Sequence, residues 1–324
     1  MHPNLGIVGP WEAEHVPWLF AFFLAIVWVW TVLEDRAIGR QRKFDLMYAG
    51  ELLIEAAVPT LLTFILVNRV GPLQVRSYGA MMLLGFIAGL IWVYLDRRRY
   101  DIPRRAAIQA PLVGLAGGIL GGRIGFVLLK WSDYSSHPQA MMNLWQGGMS
   151  WHGGLVGGLL GVYVACRFLK ISFARILDLV APALALAYAI ARIGCFLNGC
   201  CYGIACDLPW AVTFPQYGPH PPPPVPIHPT QLYACIGTLV FVIPAILLVT
   251  RWLRRPFSRF MSFLVFSSAL RFVVEYYRRG ATAEVFQTLP VFTKAQAASL
   301  AIIVVFTIAI IWRERAGSRR QAAD

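Results

Sequence analysis

Charged side chains interrupt several long apolar segments of this sequence. Arg123, Arg192 and the pair Arg271 and Glu275 each lie inside such a segment. An ionised side chain within a membrane span costs roughly 2.5 to 3.5 kcal/mol on insertion scales, so it usually has a partner or a task. A guanidinium matches the oxygens of a phosphate with its planar fork and stays charged when it is desolvated. These residues therefore indicate a site for an anionic group.

The spacing of these residues suggests how they share helix faces. Arg271, Glu275 and Arg278 follow an i, i+4, i+7 pattern, so they stack along one face of a helix. A pair of Arg271 and Glu275 that merely neutralises itself is the alternative interpretation. Arg192, Cys195 and Gly199 share a second helix face, and Asn198 lies close to it.

A histidine between paired glycines is the candidate for proton transfer. His152 lies in the segment GGMSWHGG at residues 147–154, at the predicted start of a span. Glycine permits close backbone approach, so the segment could wrap a ligand. Unpaired N–H groups at a helix N-terminus favour a nearby anion. A neutral imidazole there could accept a proton, although an interfacial structural role for His152 is the alternative.

The chain that carries these residues is otherwise unusually apolar. Hydrophobic residues make up 58% of the 324 residues and charged residues only 14%, well under the quarter or so usual in soluble domains. Nine segments approach the roughly 20 apolar residues that span a bilayer. They are residues 18–33, 52–67, 79–95, 106–129, 153–169, 176–197, 231–249, 260–276 and 297–312. The sequence therefore predicts an all-α polytopic membrane protein with about nine transmembrane helices.

Basic residues occur in clusters that alternate along the predicted spans. The clusters are at residues 36–43, 97–105, 170–175, 251–259 and 313–320. Since basic loops stay on the cytoplasmic side, the N-terminus is predicted to lie outside and the C-terminus in the cytoplasm. This pattern accounts for the net charge of +13 without a nucleic-acid partner. It also places the buried arginines in the outer half of the membrane, level with Tyr78 and His152, where a phospholipid headgroup is the available anion.

Five sequence motifs, in order and spacing, carry a family resemblance. They are GGRIG at 121–125, GMSWHGG at 148–154, RIGCFLNG at 192–199, HPTQLY at 228–233 and RFVVEYYR at 271–278. Together they resemble the prolipoprotein diacylglyceryl transferases, and the resemblance covers about residue 77 to the C-terminus. It implies a seven-helix transferase domain at residues 76–324, preceded by a two-span extension at residues 1–75.

The resemblance also implies a reaction and its participants. That family transfers a diacylglyceryl group from phosphatidylglycerol to the thiol of the lipobox cysteine in a bacterial prolipoprotein, forming a thioether and releasing glycerol phosphate. The implied protein is a multi-pass enzyme of the bacterial inner (cytoplasmic) membrane. Its partners would be phosphatidylglycerol, the prolipoprotein signal peptide and membrane lipids, and the resemblance implies no metal and no cofactor.

Residue roles follow from the same resemblance. Arg192 and Arg271 would hold the phosphate, and His152 would be the base for the incoming thiol. Further residues are candidates for binding substrate or shaping its pocket: Tyr78, Arg123, Asn198, Gly203, His228, Glu275 and Arg278.

Four positions depart from the family pattern. Cys195 replaces the usual asparagine, Cys200 replaces a common acidic residue, Ser267 replaces tyrosine and Ala234 replaces glutamate. A family paralogue with an altered substrate is therefore an alternative. An anion or lipid transporter that uses the same buried arginines is another.

Six cysteines leave a further question open. Cys200, Cys201 and Cys206 lie in a predicted outer loop. A four-cysteine metal site is not indicated, because the chain has no pair of Cys-x-x-Cys repeats. Packing or one disulfide to Cys206 is one interpretation. A membrane thiol oxidoreductase built on Cys200 and Cys201 is the other.

Overall fold

The structure, a computed structural model, divides into two compact units, His2–Ser77 and Tyr78–Asp324. It describes residues 4–8, 73–135, 138–142, 148–215, 222–253, 255–278 and 292–321. The first two predicted spans, 18–33 and 52–67, lie outside the described residues.

A short pair of strands belongs to the first unit. Strand β1 (Asn4–Val8) pairs antiparallel with strand β2 (Leu73–Arg76). These two strands are short, and the predicted all-helical architecture holds for the long elements of the described chain. Strand β2 alternates apolar and polar residues, but four residues are too few for a two-residue period to stand out in a sequence.

The second unit is built from seven long helical segments. They are α1 (Ser77–Asp96), α2 (Arg104–Leu129), α3 (Trp151–Leu169), α4 (Phe173–Leu197), α5 (Thr230–Val249), α6 (Ser258–Tyr276) and α7 (Lys294–Gln321). Helix α5 contains one π-helical turn, Thr238–Val242. Each helix falls on one of the last seven predicted apolar segments, so the helical part of the prediction is confirmed for this unit.

Six helices in the described part of the chain are long and apolar enough to cross a membrane. They are Ser77–Tyr100, Arg104–Leu129, Trp151–Leu169, Phe173–Leu197, Thr230–Val249 and Lys294–Ala316. Helix α6 is not among them because Arg259, Arg271 and Glu275 lower its hydropathy. The described chain is thus a polytopic membrane protein, and its helix α6, which is not among these six, carries candidate site residues.

Facing glycines bring helices α2 and α3 into backbone contact. A Cβ atom at Gly121 would lie 2.4 Å from the carbonyl oxygen of Gly153, and one at Gly153 would lie 2.3 Å from that of Gly121. Gly117 and Gly157 face each other in the same way. Small residues allow such close approach in membranes. The glycines after His152 therefore pack two helices, so the close backbone approach that they permit is to helix α2.

A buried polar network fixes the start of helix α6. The Asp178 carboxylate accepts hydrogen bonds from the backbone N–H groups of Phe257 and Phe260, at 2.6 and 2.8 Å. Arg259 forms an ion pair of 2.8 Å with Asp96. Because α4 and α1 hold α6 through these contacts, the later turns of α6, which carry Arg271 and Glu275, are set against α4.

Candidate active site

The segment that follows helix α4 is held by the first turn of helix α5. Thr230 Oγ1 donates a 2.8 Å hydrogen bond to the carbonyl of Cys201, and Gln231 Nε2 donates one of 2.7 Å to the carbonyl of Cys200. Thr230 and Gln231 are each only 1% exposed. The HPTQ sequence therefore positions the backbone of the two adjacent cysteines.

Gly203 lies where three segments meet. Its N–H donates to the His228 carbonyl at 3.0 Å, and the N–H of Ile204 donates to the Tyr277 carbonyl at 2.9 Å. A Cβ atom at Gly203 would approach the Tyr277 oxygen to 2.4 Å and His228 Cβ to 2.8 Å. Only glycine fits this junction without displacing backbone. The geometry gives Gly203 a structural task, and its place among the pocket residues stays a prediction.

Arg192, in the last turns of α4, has an aromatic and a sulfur neighbour. Its guanidinium carbon lies 4.6 Å from the centroid of the Tyr188 ring, and Nη1 lies 4.0 Å from Cys195 Sγ. Arg192 and Arg271 are within electrostatic reach of each other and of Tyr188. Within the described residues, no carboxylate forms an ion pair with Arg192.

Arg271 and Glu275 of α6, with Arg278 just after this helix, form an ion-pair cluster around one carboxylate. Glu275 Oε2 lies 2.8 Å from Arg271 Nη2 and 3.6 Å from Arg278 Nη1. Glu275 is 1% exposed, and its Oε1 accepts a 3.4 Å hydrogen bond from Thr293. The predicted Arg271–Glu275 pair does form. Because Arg271 and Arg278 share this one carboxylate and Arg192 lies within electrostatic reach of Arg271, the pair does not neutralise the cluster, which keeps an excess of positive charge.

Tyr78 joins this cluster from helix α1. It interacts electrostatically with Arg192 and with the thiols of Cys195 and Cys201. Gly194 makes this possible, since a Cβ atom there would lie 2.9 Å from Met81 Cβ. The structure therefore brings together predicted site residues from three helices, α1, α4 and α6.

Arg123 holds the chain that leads into helix α3. Its Nε donates to the Met141 carbonyl at 2.8 Å and its Nη1 to the Gly148 carbonyl at 3.1 Å. The guanidinium also lies 5.4 Å from the centroid of the Tyr134 ring. These contacts position the segment before His152. Substrate binding by Arg123 stays a prediction.

His152 occupies the first turn of helix α3 and is exposed. The Ser150 side chain caps this helix by accepting from the Gly153 N–H at 3.3 Å. The imidazole packs edge to face on Trp151, with ring centroids 5.3 Å apart. Within the described segments, no hydrogen bond or ion pair joins His152 to the arginine cluster. Its role as a base stays a prediction.

His228 belongs to an aromatic group that the sequence did not identify. Its Nδ1 lies 3.0 Å from the Tyr233 hydroxyl, which accepts a 2.8 Å hydrogen bond from Trp210 Nε1. The His228 and Tyr277 ring centroids are 5.0 Å apart. Burial lowers the pKa of His228 below its ordinary value. A neutral imidazole that accepts the Tyr233 proton fits this arrangement. The five-residue spacing of His228 and Tyr233 was the sequence signal that could have indicated this contact.

Three thiols converge beside Arg192. The sulfur atoms of Cys195, Cys200 and Cys201 all lie within 4.8 Å of one another. All six cysteines are free, so the disulfide to Cys206 is absent from the structure. Gly199 and Cys201 have positive φ angles of 68° and 62°, which turn the chain back onto the end of α4. Asn198 caps that end and is exposed, and substrate binding by Asn198 stays a prediction.

Comparison with known proteins places this arrangement in a family. The family model described as prolipoprotein diacylglyceryl transferase matches residues 65–312. A phosphatidylglycerol–prolipoprotein diacylglyceryl transferase of Cupriavidus metallidurans is 34% identical over 79% of this chain and 95% of the relative. The protein of the same name from Geobacter sulfurreducens is 40% identical over 65% of this chain and 80% of the relative. One from Coxiella burnetii is 33% identical over 76% and 94%. The chain therefore belongs to the prolipoprotein diacylglyceryl transferase family.

Proposed function

We propose that the chain transfers a diacylglyceryl group from phosphatidylglycerol to the lipobox cysteine of a prolipoprotein. The observation that carries the proposal is the cluster of Arg271 and Arg278 around the single carboxylate of Glu275, with Arg192 within electrostatic reach of Arg271. Its excess positive charge suits one phosphate group. The names of the relatives, which state the same lipid and the same acceptor class, support the choice of substrates.

The transfer makes one bond and breaks one. The thiolate sulfur attacks the glyceryl carbon of the lipid, a thioether bond forms, and the bond from that carbon to the phosphate oxygen breaks. Glycerol phosphate leaves with an added negative charge. Arg192 and Arg271 would stabilise that charge, because fixed donors act strongly where water is excluded. His152 is the candidate that accepts the thiol proton, since a thiol with a pKa near 8.5 reacts as its thiolate.

The remaining substrate-site candidates have more local tasks in this proposal. Tyr78 and Asn198 would line the lipid pocket beside Arg192. Glu275 would fix the orientation of Arg271 through their 2.8 Å ion pair. Gly203 and His228 would hold the loop that carries the cysteines, through the 3.0 Å hydrogen bond between them.

The proposed protein has nine spans in a bacterial inner membrane. Residues 1–75 would form a two-span extension and residues 76–324 the transferase domain. The alternating basic clusters support an outer N-terminus and a cytoplasmic C-terminus. Cysteine labelling from either side of sealed vesicles would test the orientation. Access to the cluster end of helix α4 from the cytoplasmic side would contradict it.

An assay with defined components tests the activity. Purified full-length protein is incubated with phosphatidylglycerol and a lipobox peptide, without nucleotide, and the peptide is analysed by mass spectrometry. We expect a diacylglyceryl thioether and free glycerol phosphate. A peptide with serine in place of cysteine is the matched control and should give no product, because a hydroxyl is far less acidic than a thiol. Folded protein that forms no adduct with the cysteine peptide would contradict the proposal.

A further inference from the structure

The three converging thiols have the geometry of a metal-binding site. Zn–S bonds are about 2.3 Å long, so three sulfurs on one tetrahedral ion lie about 3.8 Å apart. The sulfurs of Cys195, Cys200 and Cys201 already lie within 4.8 Å of one another. Small side-chain rotations would bring them onto one ion. The pattern Cys-x4-Cys-Cys differs from the paired Cys-x-x-Cys repeats whose lack argued against a metal in the sequence.

The fold holds the three sulfurs together by independent contacts. Cys195 is fixed in helix α4. The carbonyls of Cys200 and Cys201 are held by the buried side chains of Gln231 and Thr230, at 2.7 and 2.8 Å. These anchors lie on the backbone, and the Cys200 thiol makes a weak hydrogen bond of 3.7 Å to the Cys195 carbonyl, which metal binding would replace. The site is therefore organised before any ligand arrives, which lowers the cost of binding.

The charges around the thiols suit thiolate ligands. Three thiolates on a divalent ion carry one net negative charge. Arg192 Nη1 lies 4.0 Å from Cys195 Sγ, and Arg192 and Arg278 both interact electrostatically with Cys201. Outer guanidinium groups would offset the excess charge and donate to the sulfurs, as outer partners of metal ligands commonly do.

We propose that Cys195, Cys200 and Cys201 bind one thiophilic divalent metal ion of the zinc class. Three protein ligands leave the fourth tetrahedral position open to water or to an exogenous donor. Thiolate ligands select zinc over magnesium or calcium, which take oxygen ligands. The site follows from the thiol geometry alone, and so it does not depend on the proposed transfer reaction.

Metal titration of the full-length protein tests this site. The protein is purified in detergent with a phosphine reductant, stripped with a chelator and desalted. We expect it to retain one equivalent of added Zn²⁺ after a second desalting step. Added Co²⁺ should give thiolate-to-cobalt charge-transfer absorption. Mg²⁺ at the same concentration is the control ion and should not be retained.

Cysteine variants locate the ion. We expect Cys195→Ser and Cys200→Ser each to weaken Zn²⁺ binding by at least about 100-fold, since a direct ligand contributes more than the outer partners of a metal site. Cys206→Ser is the matched control from the same loop, and it should bind Zn²⁺ as the unmodified protein does. Unchanged binding in the Cys195 and Cys200 variants would overturn the proposal.

Thiol alkylation gives a readout that needs no variant. Zn²⁺ should protect Cys195, Cys200 and Cys201 of the reduced protein from alkylation, and leave Cys206 reactive. Equal reactivity of all four with and without Zn²⁺ would overturn the proposal. A disulfide among the three, trapped in membranes from cells that make the protein, would also overturn it.

Discussion

Replacing Arg192 tests whether its guanidinium contacts the leaving phosphate or only stabilises the fold. In the described residues its guanidinium has the Tyr188 ring at 4.6 Å and no carboxylate partner, whereas Arg271 is paired with Glu275 at 2.8 Å. The charge of Arg192 is therefore the one most available to the leaving phosphate. Removing one fixed donor of this kind costs about 100- to 1,000-fold in kcat, or about 2.7 to 4 kcal/mol. We expect Arg192→Ala to lose that much, and Arg192→Lys to recover part, because lysine keeps the charge and lacks the planar fork.

The assay is the initial rate of thioether formation at several concentrations of phosphatidylglycerol. A contact made mainly in the transition state lowers kcat and kcat/KM together, whereas one made equally with the bound lipid raises KM alone. Arg98→Ala, an exposed arginine in the turn after helix α1, is the control and should keep normal rates. Folded Arg192→Ala protein with a kcat within about twofold of the unmodified protein would refute the phosphate role.

Three further predictions concern the scaffold. Glu275→Gln breaks a buried ion pair, which costs about 3 to 5 kcal/mol of folding stability. Since the Arg271 side chain is 31% exposed, we expect a loss at the lower end of this range, measured as a lower thermal midpoint in detergent. An unchanged midpoint would contradict a stabilising role of the buried pair. Gly153→Val should prevent recovery of monodisperse protein because its Cβ meets backbone at 2.3 Å, whereas Gly79→Ala enters open space and should have no effect. Burial lowers the pKa of His228 in the folded protein. Between this lowered pKa and the unfolded value of about 6.5, the folded protein therefore binds fewer protons than the unfolded chain, so its stability should rise with pH over that range. His228→Gln should flatten this rise, and an unchanged slope would rule out His228 as its source.

The helices of the second unit could be predicted because each needs a long apolar segment. That requirement is physical, since backbone groups in hydrocarbon must bond within the helix. The strand pair could not be predicted, because residues 4–8 and 73–76 are far apart in sequence and each is too short for a clear period. The contact between α2 and α3 could not be predicted for another reason. The glycines around His152 signal close backbone approach in general, and the sequence does not say whether a ligand or another helix, here Gly121 of α2, approaches.

The arginine cluster could be predicted in part. The spacing of Arg271, Glu275 and Arg278 along one helix face is a local property, and the structure confirms that the three side chains meet. The meeting of α6 with α4 depends on long-range contacts such as Asp178 with the backbone of Phe257. No local pattern marks Asp178 as the partner of a helix start 79 residues later. For the same reason, the sequence alone could not indicate the hydrogen bonds from Thr230 and Gln231 to the cysteine loop.

Two of the four departures that the sequence resemblance implies lie beside the charged cluster. There the resemblance implies an asparagine at the position of Cys195 and an acidic residue at that of Cys200, and both thiols lie close to Arg192. A thiolate can carry the negative charge that an acidic side chain would supply, but a neutral thiol cannot. The ionisation of these thiols, or their binding to a metal ion, therefore sets how much positive charge Arg192 offers to a phosphate. If the thiols are free and neutral, the anion site carries the most positive charge. If they are thiolates without a bound metal ion beside Arg192, the anion site carries the least positive charge and binds a phosphate most weakly.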